Sequence, residues 1–331
     1  MEPLIRNKVD RKEDLVATLV QVAHLYYDEN LSQQEIADRL AVSRSSIAQY
    51  LQQARERGIV KIEVVNPTNN CESMALEIQD RTNLNRVFVV PSMHKYHDLT
   101  MRAIAGAAST YLEKTLVDSD ILGIAWGRTI ARIVQLLAPS IPRDIDVVPL
   151  MGERGYTGNY SQINQVVLQA AQSFSAHPYF LLAPMFVGSR QLRDDLLHDP
   201  AVSMVVERWE KLTTAIIGIG AIPPQPGSIV YVGTKYMRQM QEQDAVGDIC
   251  GRFIDKEGNL IEAEFYDRMI SISLDQIKKI NRVIAVAGGI EKTRAVIAAM
   301  KTKLFSVLFV DEMLAENLLY ELRKSGSESY D

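Results

Sequence analysis

Between residues 11 and 30, apolar side chains recur at Leu15, Leu19, Val22, Ala23 and Tyr26, the spacing of one face of a helix. Two shorter stripes follow, Ile36, Ala37 and Leu40, then Ile47, Tyr50, Leu51 and Ala54. "GIVKIEVV" (58–65) alternates β-branched and polar residues and predicts a strand. "NPTNN" (66–70) puts five turn-forming residues in a row, and a linking helix is predicted over 72–83.

Past residue 84 the pattern changes to apolar runs of strand length. These are "RVFVV" (86–90), "ILGIAW" (121–126), "DVVPLM" (146–151), "YFLLAPMF" (179–186), "AIIGIG" (215–220), "RVIAVAGG" (282–289) and "SVLFVDE" (306–312). Helical patterns such as "RTIARIVQLL" and "EKTRAVIAAM" come after several of them. Buried strands alternating with helices predict an α/β fold, a mainly parallel, doubly wound sheet covered on both faces. "RFIDKEGNLIEA" (252–263) instead predicts a hairpin turning at Glu257-Gly258-Asn259. The expected organisation is an all-α domain (1–65), a linker with its helix (66–83), and an α/β domain (84–331).

Composition narrows the class. The 331 residues are 47% hydrophobic and 23% charged, as in an ordinary globular protein. A net charge of −5 excludes coating nucleic acid by bulk electrostatics, so contact with DNA requires a local patch. Cys71 and Cys250 form no CxxC unit and predict neither a disulfide framework nor a zinc site. With a charged N-terminus and no membrane-spanning apolar run, the expectation is a cytoplasmic protein without a membrane partner.

The two short helices invite a sharper reading. Ser32 followed by Glu35 forms a capping-box pattern, and Ser43 can cap the second helix. Only Ala41 and Val42 lie between the two helices, the spacing of a helix-turn-helix. Many such motifs have glycine at the turn; here Ala41 implies some backbone strain. Outward on the second helix stand Arg44, Ser45, Ala48, Gln49 and Gln52. Arg pairs with guanine, Gln with adenine, and small residues permit close approach to a major groove. Ser46 and the helix N-terminus can accept a backbone phosphate. The candidate DNA-contacting set is therefore Gln33, Ser43, Arg44, Ser45, Ser46, Gln49 and Gln52. The alternative is a hairpin that merely packs on another helix. Residues 30–65 carry five basic against four acidic side chains, which fits that plainer reading.

"LSQQEIADRLAVSRSSIAQYLQQARERGIVKIEV" closely resembles the N-terminal module of the SorC family of sugar-responsive transcriptional regulators. "ILGIAWGRTI", "DAVGDICGRFIDKEGN", "VAGGIEKTRAVIAAM" and "LFVDEMLAENLL" resemble that family's effector-domain blocks, in order, and the resemblance covers nearly the whole chain from about residue 14. The resemblance implies an effector domain similar to sugar-phosphate isomerase folds and used for sensing. It also implies a homotetramer, a dimer of dimers, whose grip on an approximately palindromic operator changes when a phosphorylated sugar binds. Asn164 and Asp248 match family positions that face the ligand. Asn164 is alternatively a polar residue at a helix start, and Asp248 a turn residue.

Independently of the family, parallel α/β sheets bind ligands beyond the carboxyl ends of their strands, where helix N-termini expose amides. "IAWGRT" offers Gly127, Arg128 and Thr129 after one strand; "VAGGIEK" offers Gly288, Gly289 and Lys292 after another. Such a set can hold a phosphate without a metal or cofactor. The alternative is that these glycines only allow tight turns. "LMGERG" (150–155) adds Gly152 and Arg154. The family commonly has a more glycine-rich loop there, so Glu153 and Arg154 are departures, Arg154 being either an added phosphate contact or a surface residue.

Enzyme signatures are missing. There is no HExxH, GxSxG elbow, P-loop or GxGxxG. His94 and His97 have only HxxH spacing, and the GxG of "GIGAIP" is read as a strand end. The competing reading is an isomerase-like enzyme whose N-terminal helices only mediate oligomerisation.

Overall fold

The structure, a computed structural model, describes residues 6–60, 70–93, 97–154, 162–222 and 234–327. It divides into two compact units, 1–67 and 68–331. Most of the predicted strand 58–65 lies outside the described residues, as do positions 66–69 of the linker, His94 and Gly155.

The first unit holds α1 (Arg6–Tyr27), α2 (Gln33–Leu40) and α3 (Arg44–Glu56). Leu19, Val22, Ala23 and Leu25 of α1 are buried against Ile36 and Ala37 of α2 and Ile47, Leu51 and Ala54 of α3. Ser32 caps α2 in a full capping box, its Oγ accepting from Glu35 N while Glu35 Oε2 accepts from Ser32 N. Ser43 Oγ accepts from Ser46 N at the start of α3. Ala41 ends α2 in the left-handed region, φ 54° and ψ 41°, which locates the strain at the turn.

The second unit is an α/β sandwich. Its helices are α4 (Cys71–Arg81), α5 (His97–Thr115), α6 (Arg128–Gln135), α7 (Ile163–Phe174), α8 (Arg190–His198), α9 (Pro200–Val206), α10 (Thr234–Glu242), α11 (Leu274–Lys278), α12 (Thr293–Lys301) and α13 (Glu312–Ser327). Its strands are β1 (Arg86–Val90), β2 (Ile121–Ile124), β3 (Asp146–Pro149), β4 (His177–Pro178), β5 (Thr214–Ala221), β6 (Gly247–Ile249), β7 (Arg252–Ile254), β8 (Arg282–Val286) and β9 (Val307–Asp311). Seven strands run parallel in the order β1-β9-β8-β5-β2-β3-β4. One face buries α5, α6 and α7, with Ile104, Ile133 and Phe174 in its core. The other buries α4, α12 and α13, with Ile78, Val296 and Leu318. The expected doubly wound sheet is the fold.

Three details depart from the sequence reading. The run 179–186 is not a strand. The side-chain amide of Asn164 donates to Leu181 O and accepts from Leu181 N, both at 3.1 Å, and Pro184 has no N–H. A ladder cannot continue through either position, so only β4 and isolated bridges remain. The linking helix, predicted over 72–83, spans Cys71–Arg81. The predicted turn at Glu257-Gly258-Asn259 is present, held by Asp255 Oδ1, which accepts from Glu257 N and Asn259 N. A second, unanticipated hairpin precedes it: β6 and β7 pair antiparallel through Cys250 and Gly251, both at positive φ (51° and 79°).

Glu77 of α4 fastens that helix to α13. Its carboxylate accepts from Arg81 Nε at 2.9 Å and from Arg323 Nε and Nη2 at 2.8 and 2.6 Å. The Arg323 hydrogen bond is the main cause holding its carboxyl down to about 2, with Arg81 contributing.

Candidate nucleic-acid interface and effector cavity

In the first unit the packing of α3 on α1 and α2 leaves one face outward. Ser43, Arg44, Ser45, Gln49 and Gln52 are exposed; Gln33 and Ser46 are half-buried. Ser43 Oγ lies 2.7 Å from Ser45 Oγ and 2.8 Å from Ser46 Oγ, a hydroxyl cluster at the helix N-terminus. Such a cluster beside the positive end of the helix dipole suits an anion. Gln52 already donates to Glu56 Oε1 at 2.8 Å. One amide N–H and Oε1 of Gln52 remain for a base contact.

In the second unit a cavity of about 200 Å³ opens at the carboxyl ends of β2, β5 and β8. Trp126, Gly127, Arg128 and Thr129 line it after β2, Gly218 and Gly220 along β5, and Gly288 and Lys292 after β8. Met151 and Arg154 come from the loop after β3, and Asp248 from β6. Drug-sized ligands occupy about 300–1,000 Å³, so the volume suits a compact metabolite.

Gly127 precedes α6 without any side-chain cap, which leaves first-turn amides of that helix for a ligand. Its φ of 163° is ordinary extended backbone, and a Cβ there would touch only Ile130 at 3.4 Å or more. Bareness at this position therefore matters to a ligand more than to the chain. Lys292 sits in a 3-10 turn (Ile290–Lys292) ahead of α12, and its Nζ donates to Ile219 O at 3.0 Å. Burial pulls its ammonium below the usual lysine range, while Asp248 and Glu291 oppose that shift and Arg128 adds to it. The four charged groups therefore form one electrostatic cluster.

Asp248 is buried, and one of its oxygens accepts from Gly251 N at 3.2 Å. Arg154 lies with its guanidinium carbon 3.5 Å from the centre of the Trp126 ring. Its neighbour Glu153 has a different role: its carboxylate accepts from Ile163 N and Asn164 N, capping α7 from outside the helix.

Three of the sequence-predicted effector residues do not line the cavity. Asn164 uses its amide on the backbone of Leu181, as described, and this corrects its reading as a ligand contact. Gly152 is needed because a Cβ there would lie 2.6 Å from Ala183 O and 2.7 Å from Met185 N. Gly289, at φ 96°, donates its N–H to Asp311 Oδ2 at 2.6 Å. Gly288 lines the cavity but is also required by packing, since a Cβ would meet Met101 Sδ at 2.6 Å.

The sequence reading missed His97, Gly218, Gly220, Cys250 and Glu291, all in the lining. The GxG at the end of a buried strand was the available signal. It also missed Asp311, a buried hub that accepts from Gly289 N, from Leu314 N and from Ser92 Oγ. Burial, with Asp248 adding, pushes the Cys250 thiol up to about 12, so it faces the cavity un-ionised. Among the described residues no group of three His, Cys, Asp or Glu side chains is arranged to hold a metal ion. None of the described helices is long and apolar enough to cross a membrane.

Comparison with known proteins finds a family model for each of the two units. Residues 66–320 match the Sugar-bind family model, "Putative sugar-binding domain", and residues 25–57 match sigma-70 region 4. The transcriptional regulator YjhU of Escherichia coli (strain K12) is 34% identical over 89% of this chain and 92% of its own. The deoxyribonucleoside regulator of Bacillus subtilis (strain 168) is 26% identical over 95% and 100%. In fold, the chain is similar to the full-length sorbitol operon regulator SorC of Klebsiella pneumoniae, with a TM-score of 0.78 at 24% identity over 92% and 98% of the two chains. These relatives are transcriptional regulators, not enzymes. The chain belongs to the SorC family of transcriptional regulators, in which a DNA-binding helix-turn-helix accompanies a sugar-binding domain.

Proposed function

We propose that this regulator controls a carbohydrate-utilisation operon and is gated by a small phosphorylated sugar bound in the cavity. The observation that carries this reading is the pairing of Arg128 and Lys292, at an uncapped helix start, with the buried carboxylate of Asp248. The phosphate takes the α6 amides, Thr129, Arg128 and Lys292, and the sugar hydroxyls donate to Asp248. Relatives named for a sorbitol operon and for deoxyribonucleosides support a sugar-derived effector.

Arg44, Ser45 and Gln49 read base edges in the major groove, while Ser43 and Ser46 hold a phosphate, with Gln33 and Gln52 flanking. The chain works in the cytoplasm as a homotetramer, a dimer of dimers, on an approximately palindromic operator. The effector shifts DNA affinity by favouring one subunit arrangement over another.

The test is duplex binding with and without a panel of sugar phosphates, the free sugars serving as controls. A shift of operator affinity with a phosphorylated sugar, and none with its free form, supports the reading; a shift with the free sugar alone removes the phosphate from it. Arg44→Ala is expected to weaken cognate DNA and narrow its margin over random DNA. Equal losses on both sequences would reduce Arg44 to a phosphate contact.

A further inference from the structure

We propose that Asp311 is a positioning residue for the effector: without touching the ligand, its buried carboxylate holds the two loops that bring His97 and Lys292 to the cavity. This rests on the anion-site reading above and names a determinant of that site's affinity. Asp311 ends β9, is 2% exposed and does not line the cavity. Its strand lies between β1 and β8 in the sheet. The loops that leave both of those strands reach its side chain.

One oxygen, Oδ2, accepts from Gly289 N at 2.6 Å. Gly289 O in turn accepts from Lys292 N at 3.0 Å. A single glycine, at φ 96°, thus joins the carboxylate to the backbone of the cation. The other oxygen, Oδ1, accepts from Ser92 Oγ at 2.9 Å. The next residue, Met93, donates its N–H to Thr100 Oγ1 at 2.9 Å, in the first turn of the helix that starts at His97. His97 and Lys292 both line the cavity. One carboxylate therefore ties together two walls that approach the ligand from separate strands.

The plainer reading is a helix cap. Asp311 immediately precedes α13, and Oδ1 accepts from Leu314 N at 3.2 Å, the pattern of an N-cap. A cap needs only one acceptor, which serine or asparagine supplies as well. The cap leaves the second oxygen unexplained, and that oxygen is the one engaged with the glycine loop. Holding both loops before the ligand arrives lowers the ordering cost of binding.

The test is calorimetric titration of the full chain with inorganic phosphate, ribose 5-phosphate and glucose 6-phosphate. Asp311→Ser keeps a capping hydroxyl and removes the carboxylate that Gly289 and Ser92 share. For the best-bound probe it is expected to weaken binding about tenfold. Ser92→Ala, which leaves the carboxylate and the cap in place, should cost about threefold. In a Lys292→Ala background the Asp311→Ser loss should shrink to about threefold or less, because the ammonium placed by the glycine loop is gone. Melting curves show that each variant folds. Wild-type affinity in Asp311→Ser, or an undiminished loss in the Lys292→Ala background, reduces Asp311 to a helix cap and overturns the proposal. If Asp311→Ser does not fold, Ser92→Ala decides: weakened binding supports the proposal and unchanged binding overturns it. Probes that bind wild type and variants alike leave the anion-site reading standing, whereas no binding of any probe to the wild type removes both.

Discussion

Gly220 and Asp248 face each other across the antiparallel β5–β6 pair, and a Cβ added at 220 would lie 1.8 Å from Asp248 Oδ1. The bare backbone at 220 is what gives the buried carboxylate its place in the cavity. Gly220→Ala should expel it, costing about 1–3 kcal/mol of stability through overpacking. It should also abolish the effector response to the same extent as Asp248→Ala. Denaturant melts and ligand titration check both. A Gly220→Ala protein with full effector affinity would show that the carboxylate takes no part in binding.

Gly218, two residues earlier, has the opposite surroundings. No atom lies within 4 Å of where its Cβ would be, and the position lines the cavity. Gly218→Ala should leave stability unchanged or raise it by up to about 1 kcal/mol, because alanine restricts the unfolded chain. The added methyl projects into ligand space, so effector affinity should drop about tenfold. Melting and titration on one preparation separate the two effects.

Lys292 gives the cavity a pH limit. Its ammonium titrates below the ordinary value of 10.5 because burial disfavours the charge. Anion binding needs the protonated form. The lysine's share of the affinity should therefore be full at neutral pH and fall as pH rises through the lowered value, before an exposed lysine would lose its proton. Lys292→Arg should move that alkaline loss upward, since a guanidinium stays charged. Titrations across alkaline pH, with circular dichroism to confirm folding, read the effect.

The left-handed Ala41 is a local defect with a simple remedy. An alanine in this region costs about 1–2 kcal/mol, and glycine removes that strain while loosening the unfolded chain by about 0.4–1 kcal/mol. Ala41→Gly should therefore stabilise the first unit by up to about 1 kcal/mol without altering its outward face. Thermal melts of the full chain, with operator binding as the control, measure it.

Glu77 makes the α4–α13 contact sensitive to acid. Its carboxyl is held at about 2, below an ordinary value of 4.5, chiefly by Arg323. A depressed carboxyl contributes stability above its unfolded value and loses it as pH falls towards the folded one. The contribution should thus disappear between about pH 4.5 and 2, and Glu77→Gln should flatten the stability profile in that window. Part exposure of the pair keeps the effect small.

What could be read from the chain alone follows the range of the interactions. The parallel strands were legible because each is a continuous apolar run ending in turn residues, as at "AIIGIG" and "RVIAVAGG". Gly127 to Thr129, Gly288 and Lys292 were legible as cavity-lining residues because the strand end, the turn and the cation are neighbours in sequence. Asn164 was misread because its partner, Leu181, lies 17 positions away and nothing local marks it. The GxG of β5 looked like a strand end until β6 brought Asp248 opposite Gly220. Glu153 and Arg154 show the same limit. As adjacent charges they were indistinguishable, yet one caps a helix and the other stacks on an indole.

One buried carboxylate has a mechanical consequence. Asp311 grips Gly289 behind the cavity, and α13 begins at the very next residue. About 17 Å along that helix, Arg323 holds Glu77 on α4, the helix that continues the chain from the DNA-binding unit. A tug on the glycine loop would therefore be carried along a stiff rod as far as the Arg323–Glu77 contact on α4.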